Sequence, residues 1–246
     1  MNDFIAIKKP NLPENKVRHA VLSGKFPNFA ESLKKLGITT FLTDKCHDVM
    51  PQISYHADIV FSHLGDNNFI VEKSQIKLKD NLLSIGFYSA DEVELGKNYP
   101  EDVLLNTCLV DGKLICGKNL FNHPTFSSIK IISTAQGYSK CSVCVVDSNS
   151  VITDDESIYT ACNKNEMDVL LISKGSVILP GFNYGFIGGC SGKISSDCIA
   201  FCGDLSTHSD FSKIKSFLKF RNIEFVNLGS RQLVDIGSII PVTEES

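Results

Sequence analysis

A short order of elements, repeated along the chain, constrains this sequence more than any single motif does. The stretches "HADIVFSHLGDNNFIVEKS" from residue 56, "PEDVLLNTCLVDGKLICGKN" from 100 and "KCSVCVVDSNSVITDD" from 140 each run an apolar strand into a polar turn and out into a second strand. The turns hold Asp66-Asn67-Asn68, Asp111-Gly112 and Asp147-Ser148-Asn149, residue types that tolerate the positive φ of tight hairpins. These three read as β-hairpins, and "SSDCIAFCGDLSTH" from 195 reads as a strand that turns at Gly203-Asp204 into a helix.

Helical spacing fills the intervals. "PNFAESLKKLG" puts Phe29, Leu33 and Leu36 on one face and stops at Gly37, and "DDESIYTACNKN" opens with acidic residues that suit a helix N-terminus. "THSDFSKIKSFLKFRN" offers Ser209 or Asp210 as a cap and Phe211, Ile214, Phe217 and Leu218 as a buried stripe. "HPTFSSIKIISTAQG" gathers Phe126, Ile129 and Ile132 on a helical face ending at Gly137, with part of "IKIISTAQ" also readable as a strand. Single strands follow the helices in "ITTFLTD", "DVLLIS" and "IEFVNL". The order is strand, strand, helix, strand, with a period of roughly 45 to 50 residues and about five units, each too small to bury its own core. No linker divides the chain, so residues 1–246 read as a single domain. An open three-layer α/β sandwich with similar hairpins is the competing arrangement.

With 43% hydrophobic and 21% charged residues, the 246-residue chain can bury a full core. Its 24 basic and 28 acidic residues are well mixed, which argues against a nucleic-acid partner. The apolar run at the N-terminus is interrupted by Pro10 and Pro13, so neither a signal peptide nor a membrane partner is expected, and the protein is placed in the cytoplasm. The nine cysteines read as reduced thiols. Cys141 with Cys144, and Cys198 with Cys202, are the two spacings that could serve as metal pairs. On a strand the first pair faces opposite sides and the second stands about 13 Å apart, so no metal and no other cofactor is expected.

The repeated unit resembles the pentein fold, the five-bladed α/β-propeller of guanidino-group modifying enzymes, including its bacterial members of unassigned activity. Asp58, Val60 and Phe61 resemble an Asp-x-Val-Phe strand of that family. "VDSNSVITDDESIYTACN" is similar to its Asp-Gly-Gly-Asp turn, with Asp147 in the matching place. "LVDIGSIIPV" resembles its terminal strand. The resemblance implies a cysteine nucleophile on that terminal strand and a histidine on a preceding blade. Here the last cysteine is Cys202, the terminal strand carries Gly237 and Ser238, and the blade "YGFIGGCSGKISSDCIAF" has no histidine.

The reading that follows is a ββαβ propeller that binds a small polar molecule, such as an amino acid, amide or guanidino compound, in a central pocket. Ser62, Asp66, Asn106, Asp111, Asp147, Asn183, Ser191, Asp204, His208 and Ser238 are the expected ligand-binding residues. Two alternatives stay open. One is a hydrolase or transferase acting on C–N bonds, its nucleophile relocated to Cys190 or Ser191, with His63 or His208 as base; Cys190 and His63 are then the catalytic pair. The other is a non-catalytic protein- or ribosome-interaction module. Cys190 sits within "GFNYGFIGGCSGKI", where a small side chain among glycines also fits a close approach of two backbones.

Overall fold

The computed structural model describes residues 3–118, 126 and 129–246. The chain starts with β1 (Phe4–Ala6) and β2 (Val17–Ser23), then α1 (Pro27–Lys35) and β3 (Thr39–Thr43), which returns parallel to β2. A single helical turn, α2 (Ala57–Val60), leads into the hairpin of β4 (Phe61–Gly65) and β5 (Asn68–Glu72). Helix α3 (Ile76–Ser84) then brings β6 (Tyr88–Val93) parallel to β5. The next sheet pairs β7 (Cys108–Val110) and β8 (Lys113–Gly117) antiparallel and adds β9 (Lys130–Thr134) in parallel.

The short α4 (Ser139–Ser142) opens the following sheet, in which β10 (Val143–Val145) and β11 (Ser150–Thr153) form the hairpin. Helix α5 (Glu156–Lys164) and the parallel β12 (Asp168–Leu171) complete it. After β13 (Val177–Ile178), the hairpin of β14 (Ser191–Ser195) and β15 (Cys198–Phe201) is extended through α6 (Phe211–Phe220) by the parallel β16 (Glu224–Asn227). Strand β17 (Leu233–Val234) pairs with β13, and β18 (Ile240–Glu245) inserts antiparallel between β1 and β2. The last strand of the chain therefore completes its first sheet, and the fold is mixed α/β.

Local chemistry explains these elements. Each long helix buries an i, i+4 pair: Phe29 and Leu33, Leu78 and Leu82, Ile158 and Cys162, Ile214 and Leu218. Asp155 caps α5 by accepting the Ser157 and Ile158 amides. The β7–β8 turn places Asp111 and Gly112 at φ 43° and 75°, the left-handed pair that matches strand twist in a two-residue hairpin. In the β10–β11 loop Asp147 Oδ1 instead accepts the Asn149 amide.

Some expectations change. Of the two readings of His123–Gly137, the strand in "IKIISTAQ" holds at β9 and the helical face does not extend there, because Ile131, Ile132 and Thr134 are β-branched and pair with β8; residues 123–125, 127 and 128 lie outside the described residues. Ala57–Val60 and Ser139–Ser142 are single helical turns leading into strands, so Cys141 and Cys144 do not share one strand. Ser191 begins a hairpin strand that the sequence did not announce. Among the described residues no helix is long and apolar enough to cross a membrane.

Where α1 and α3 end, Gly37 and Gly86 take left-handed φ; after α5 the same role falls to the exposed Glu166 at φ 63°. A side chain costs about 1 kcal/mol or more in that conformation. Glu166→Gly is expected to raise stability by up to about 1 kcal/mol, read as a higher urea midpoint with an unchanged slope. A lower midpoint would show that the turn is not strained.

Candidate functional site

Three segments distant in sequence meet in the buried interior. Gly189 donates its amide to the Cys141 carbonyl, and its own carbonyl accepts the amides of Ile236 and Ser238. A Cβ at Gly188 would run into the carbonyls of Lys140, Cys141 and Val143, and one at Gly189 into the Asp235 carboxylate. The glycines beside Cys190 are thus required by close backbone passage. Gly237, at φ 81°, presses against His56, and its carbonyl accepts the Asp58 amide.

Asp58 lies at the middle, 1% exposed. Its Oδ2 accepts the Ser238 hydroxyl at 2.6 Å, and the Cys141 thiol stands 3.1 Å from both carboxylate oxygens. Asn106 spans the same cluster: its Nδ2 donates to the Asp58 carbonyl and toward Cys141 Sγ at 3.3 Å, while its Oδ1 accepts the Lys140 amide. Lys140 Nζ donates to Ser238 Oγ at 3.2 Å. Asp235 accepts the Phe186 amide on Oδ2 and the Gly237 amide on Oδ1, and its Oδ1 is 3.8 Å from His56 Nδ1. That ring nitrogen is buried without a hydrogen-bond partner.

Burial decides the ionisation here. It pushes Asp235 up to about 6 against the pull of its two amides, and raises Asp58. It lowers His56 to about 4, leaving the ring neutral. Burial, followed by the Asp58 carboxylate, holds the Cys141 thiol well above its usual range, the reverse of the electropositive setting of a reactive cysteine.

A cavity of about 230 Å³ opens over this cluster. Its walls are Met50, Ile53, Leu179, Tyr138, Phe182, Tyr184 and Phe186, and its polar floor is His56, Cys141 and Asp235. Backbone amides take up one site on each Asp235 oxygen, and the remaining lone pairs can accept donors from a ligand. Two groups of described residues hold three metal-ligand atoms within 4.8 Å of one another: His56, Asp58 and Cys141, and Cys46, Asp48 and Glu72.

Of the residues singled out in the sequence, Asn106 and Ser238 meet on Asp58, and Asn183 lines the cavity. Ser62 and His63 line a separate small crevice with Lys140, and His63 Nε2 lies 3.0 Å from the Asp66 carbonyl. Asp66 and Asp111 are turn residues, Asp111 paired with Lys9. Asp147 serves its own loop, and Asp204 accepts the Ser206 amide. His208 Nδ1 accepts the Asp210 amide. Cys190 and Ser191 both donate to the Ile187 carbonyl, and neither lines the cavity. The sequence gives no role to Lys140 or Asp235, and offers Cys141 only as a metal partner of Cys144, which strand geometry disfavours. Asp58 and Asp235 fall within the runs that carried the family resemblance, which was the one available signal.

The family model described as "Family of unknown function (DUF6873)" matches residues 21–240. No curated protein matches the chain. Among solved structures, the C. jejuni agmatine deiminase is 9% identical with a TM-score of 0.56, covering 93% of this chain and 92% of that one. SxtG, an amidinotransferase from Microseira wollei, is 7% identical with a TM-score of 0.55, at 94% and 97% coverage. A DDAH from Pseudomonas aeruginosa complexed with citrulline is 7% identical with a TM-score of 0.54, at 94% and 100% coverage. These neighbours are pentein-fold guanidino-modifying enzymes, and at such identities they establish a shared fold.

His63 gives a pH test of its surroundings. Burial lowers its ring from 6.5 to about 4. The unfolded chain takes up a proton there near pH 6.5, whereas the folded chain waits until about 4, so this group's effect destabilises the fold progressively between those values. The full effect is on the order of 3 kcal/mol. Asp235 and Asp154, raised to about 6 and about 7, act in the opposite sense. The difference between wild type and His63→Leu is therefore the measurement: the wild type should lose relative stability from pH 6.5 to 4, and parallel curves would show that the ring is protonated in the folded state.

Proposed function

The chain belongs to DUF6873, and from this cavity we propose that it binds a small cationic molecule of guanidino or amine type whose body is apolar. The observation that carries the reading is Asp235, a buried carboxylate with free lone pairs at the floor of a cavity walled by aromatic and aliphatic side chains. A carboxylate there favours a planar fork of N–H donors or an ammonium, and Tyr138, Phe182, Tyr184 and Phe186 offer faces for a cation and its methylene chain. The shared fold with guanidino-modifying enzymes supports this ligand class by analogy. We read the five sheets of three or more strands as blades of one ring, closed where β18 joins β2, with the cavity at its centre and the β13–β17 pair outside the blades. The C-terminal placement of β18 and the common strand order of the sheets support that arrangement.

Binding is favoured over turnover by thiol attack. The segment before β18 carries Ser238, the Cys141 thiol at the cavity floor is held protonated beside Asp58, and the Cys190 thiol is raised by burial. Neither cysteine is expected to alkylate rapidly near neutral pH, and no ureido product is expected from arginine, agmatine or methylated arginines. A burst of labelling on Cys141 or Cys190, or protein-dependent citrulline formation, would replace this reading with a catalytic one.

Calorimetric titration with agmatine, arginine and the neutral citrulline tests the ligand class. The cations should bind and Asp235→Asn should weaken them by about 10-fold or more, as expected for loss of a charged hydrogen-bond acceptor. Equal affinity for citrulline, or an Asp235→Asn variant that binds as well as wild type, would overturn it.

A further inference from the structure

We propose that His56, Asp58 and Cys141 form a site for a thiophilic divalent metal ion of the zinc type, at the inner end of the cavity. The proposal does not rest on the organic ligand proposed above. An imidazole nitrogen, a carboxylate oxygen and a sulfur lie within 4.8 Å of one another, with the sulfur 3.1 Å from both Asp58 oxygens. Zinc bonds of 2.0–2.3 Å in tetrahedral geometry place ligand atoms about 3.3–3.8 Å apart, so modest side-chain adjustment closes the set. Hard cations such as magnesium and calcium prefer all-oxygen shells, whereas the mixed nitrogen, oxygen and sulfur donors select a softer ion.

Three further features point the same way. The His56 Nδ1 atom is buried and lacks a hydrogen-bond partner, on a residue that is 2% exposed. The other two ligands already have supporting groups of the kind that orient metal ligands: the Ser238 hydroxyl on Asp58 Oδ2 and the Asn106 amide on Cys141 Sγ. The backbone fixes their spacing, since Asn106 bridges Asp58 and Cys141 and the Asp58 amide is tied to Gly237.

His56 and Cys141 line the cavity while Asp58 lies behind them, so a fourth coordination position faces the cavity and is open to water or a ligand. Metal binding expels the Cys141 thiol proton to solvent, with any proton on Asp58, and involves no redox change. The thiolate and the Asp58 carboxylate then neutralise the dication, and Asp235 keeps its charge for the cavity. Cysteine spacing does not reveal this site, because the partner of Cys141 is 83 residues away at Asp58 rather than at Cys144. The second group, at Cys46, is less suitable: Asp48 is exposed, and both Glu72 oxygens are engaged by Ser74.

The test uses the full chain, stripped with a chelator and titrated with zinc by calorimetry and with cobalt by absorbance. One equivalent should bind, and cobalt should give a thiolate charge-transfer band with the intense visible bands of a tetrahedral ion. Cys141→Ser should abolish the charge-transfer band and weaken zinc at least about 100-fold, and Asn106→Ala, which removes only a supporting group, about 10-fold. His56→Gln provides a second ligand variant should Cys141→Ser not fold, and Cys46→Ser should behave as wild type. Absence of stoichiometric binding, persistence of the band in Cys141→Ser, or its loss in Cys46→Ser would overturn the proposal. The agmatine titration, run in chelator, reads the organic ligand separately.

Discussion

The buried carboxylate of Asp58 is the constraint around which the centre is organised. A carboxylate removed from water needs partners on its oxygens, or its desolvation outweighs what its neighbours gain. Ser238 and Cys141 supply those partners, Asn106 takes the residue's carbonyl, and Gly237 takes its amide. Four segments distant in sequence must therefore meet at one point: the start of α2, the turn before β7, the short α4, and the approach to β18. The same meeting excludes side chains from Gly188 and Gly189, which pass between them.

This packing sets the chemistry of the cavity. Met50, Ile53, Tyr138 and Leu179 bring the edge of one hydrophobic cluster to the cavity wall, and polarity is confined to the floor, where His56, Cys141 and Asp235 lie buried. Burial that raises Asp58 and Asp235 also holds the Cys141 thiol protonated and the His56 ring neutral. A neutral imidazole, a thiol and carboxylates that ionise most readily beside a cation make a floor suited to positive charge. The local field disfavours a free thiolate nucleophile.

The resemblance drawn from Asp58, Asp147 and the run ending at Val242 led to the right structural neighbours, while the identities of 7–9% show how little of that likeness resides in individual residues. Asp147 itself belongs to its own loop and to Arg221. Asn106 and Ser238, chosen as turn residues, do converge, although through Asp58 rather than as equivalent members of a ring. Cys190 drew attention because of its glycines, yet those glycines accommodate Asp235 and the backbone around Cys141.

The sequence by itself determined the elements whose causes are local. Asp-Gly and Asp-Asn turns set hairpins, i, i+4 apolar pairs set helices, and the short runs "ITTFLTD", "DVLLIS" and "IEFVNL" set three of the parallel strands, because each depends on residues a few positions apart. It left Ile131–Thr134 open between a helical spacing and a strand, and pairing with β8 decided for the strand. Only the tertiary structure decided which polar residues share a site. Asp58 meets Cys141 and Ser238 across 83 and 180 residues, and no periodicity or spacing rule spans such distances. Burial of those groups, and with it their ionisation and their capacity to hold a cation, exists only once the segments have crossed.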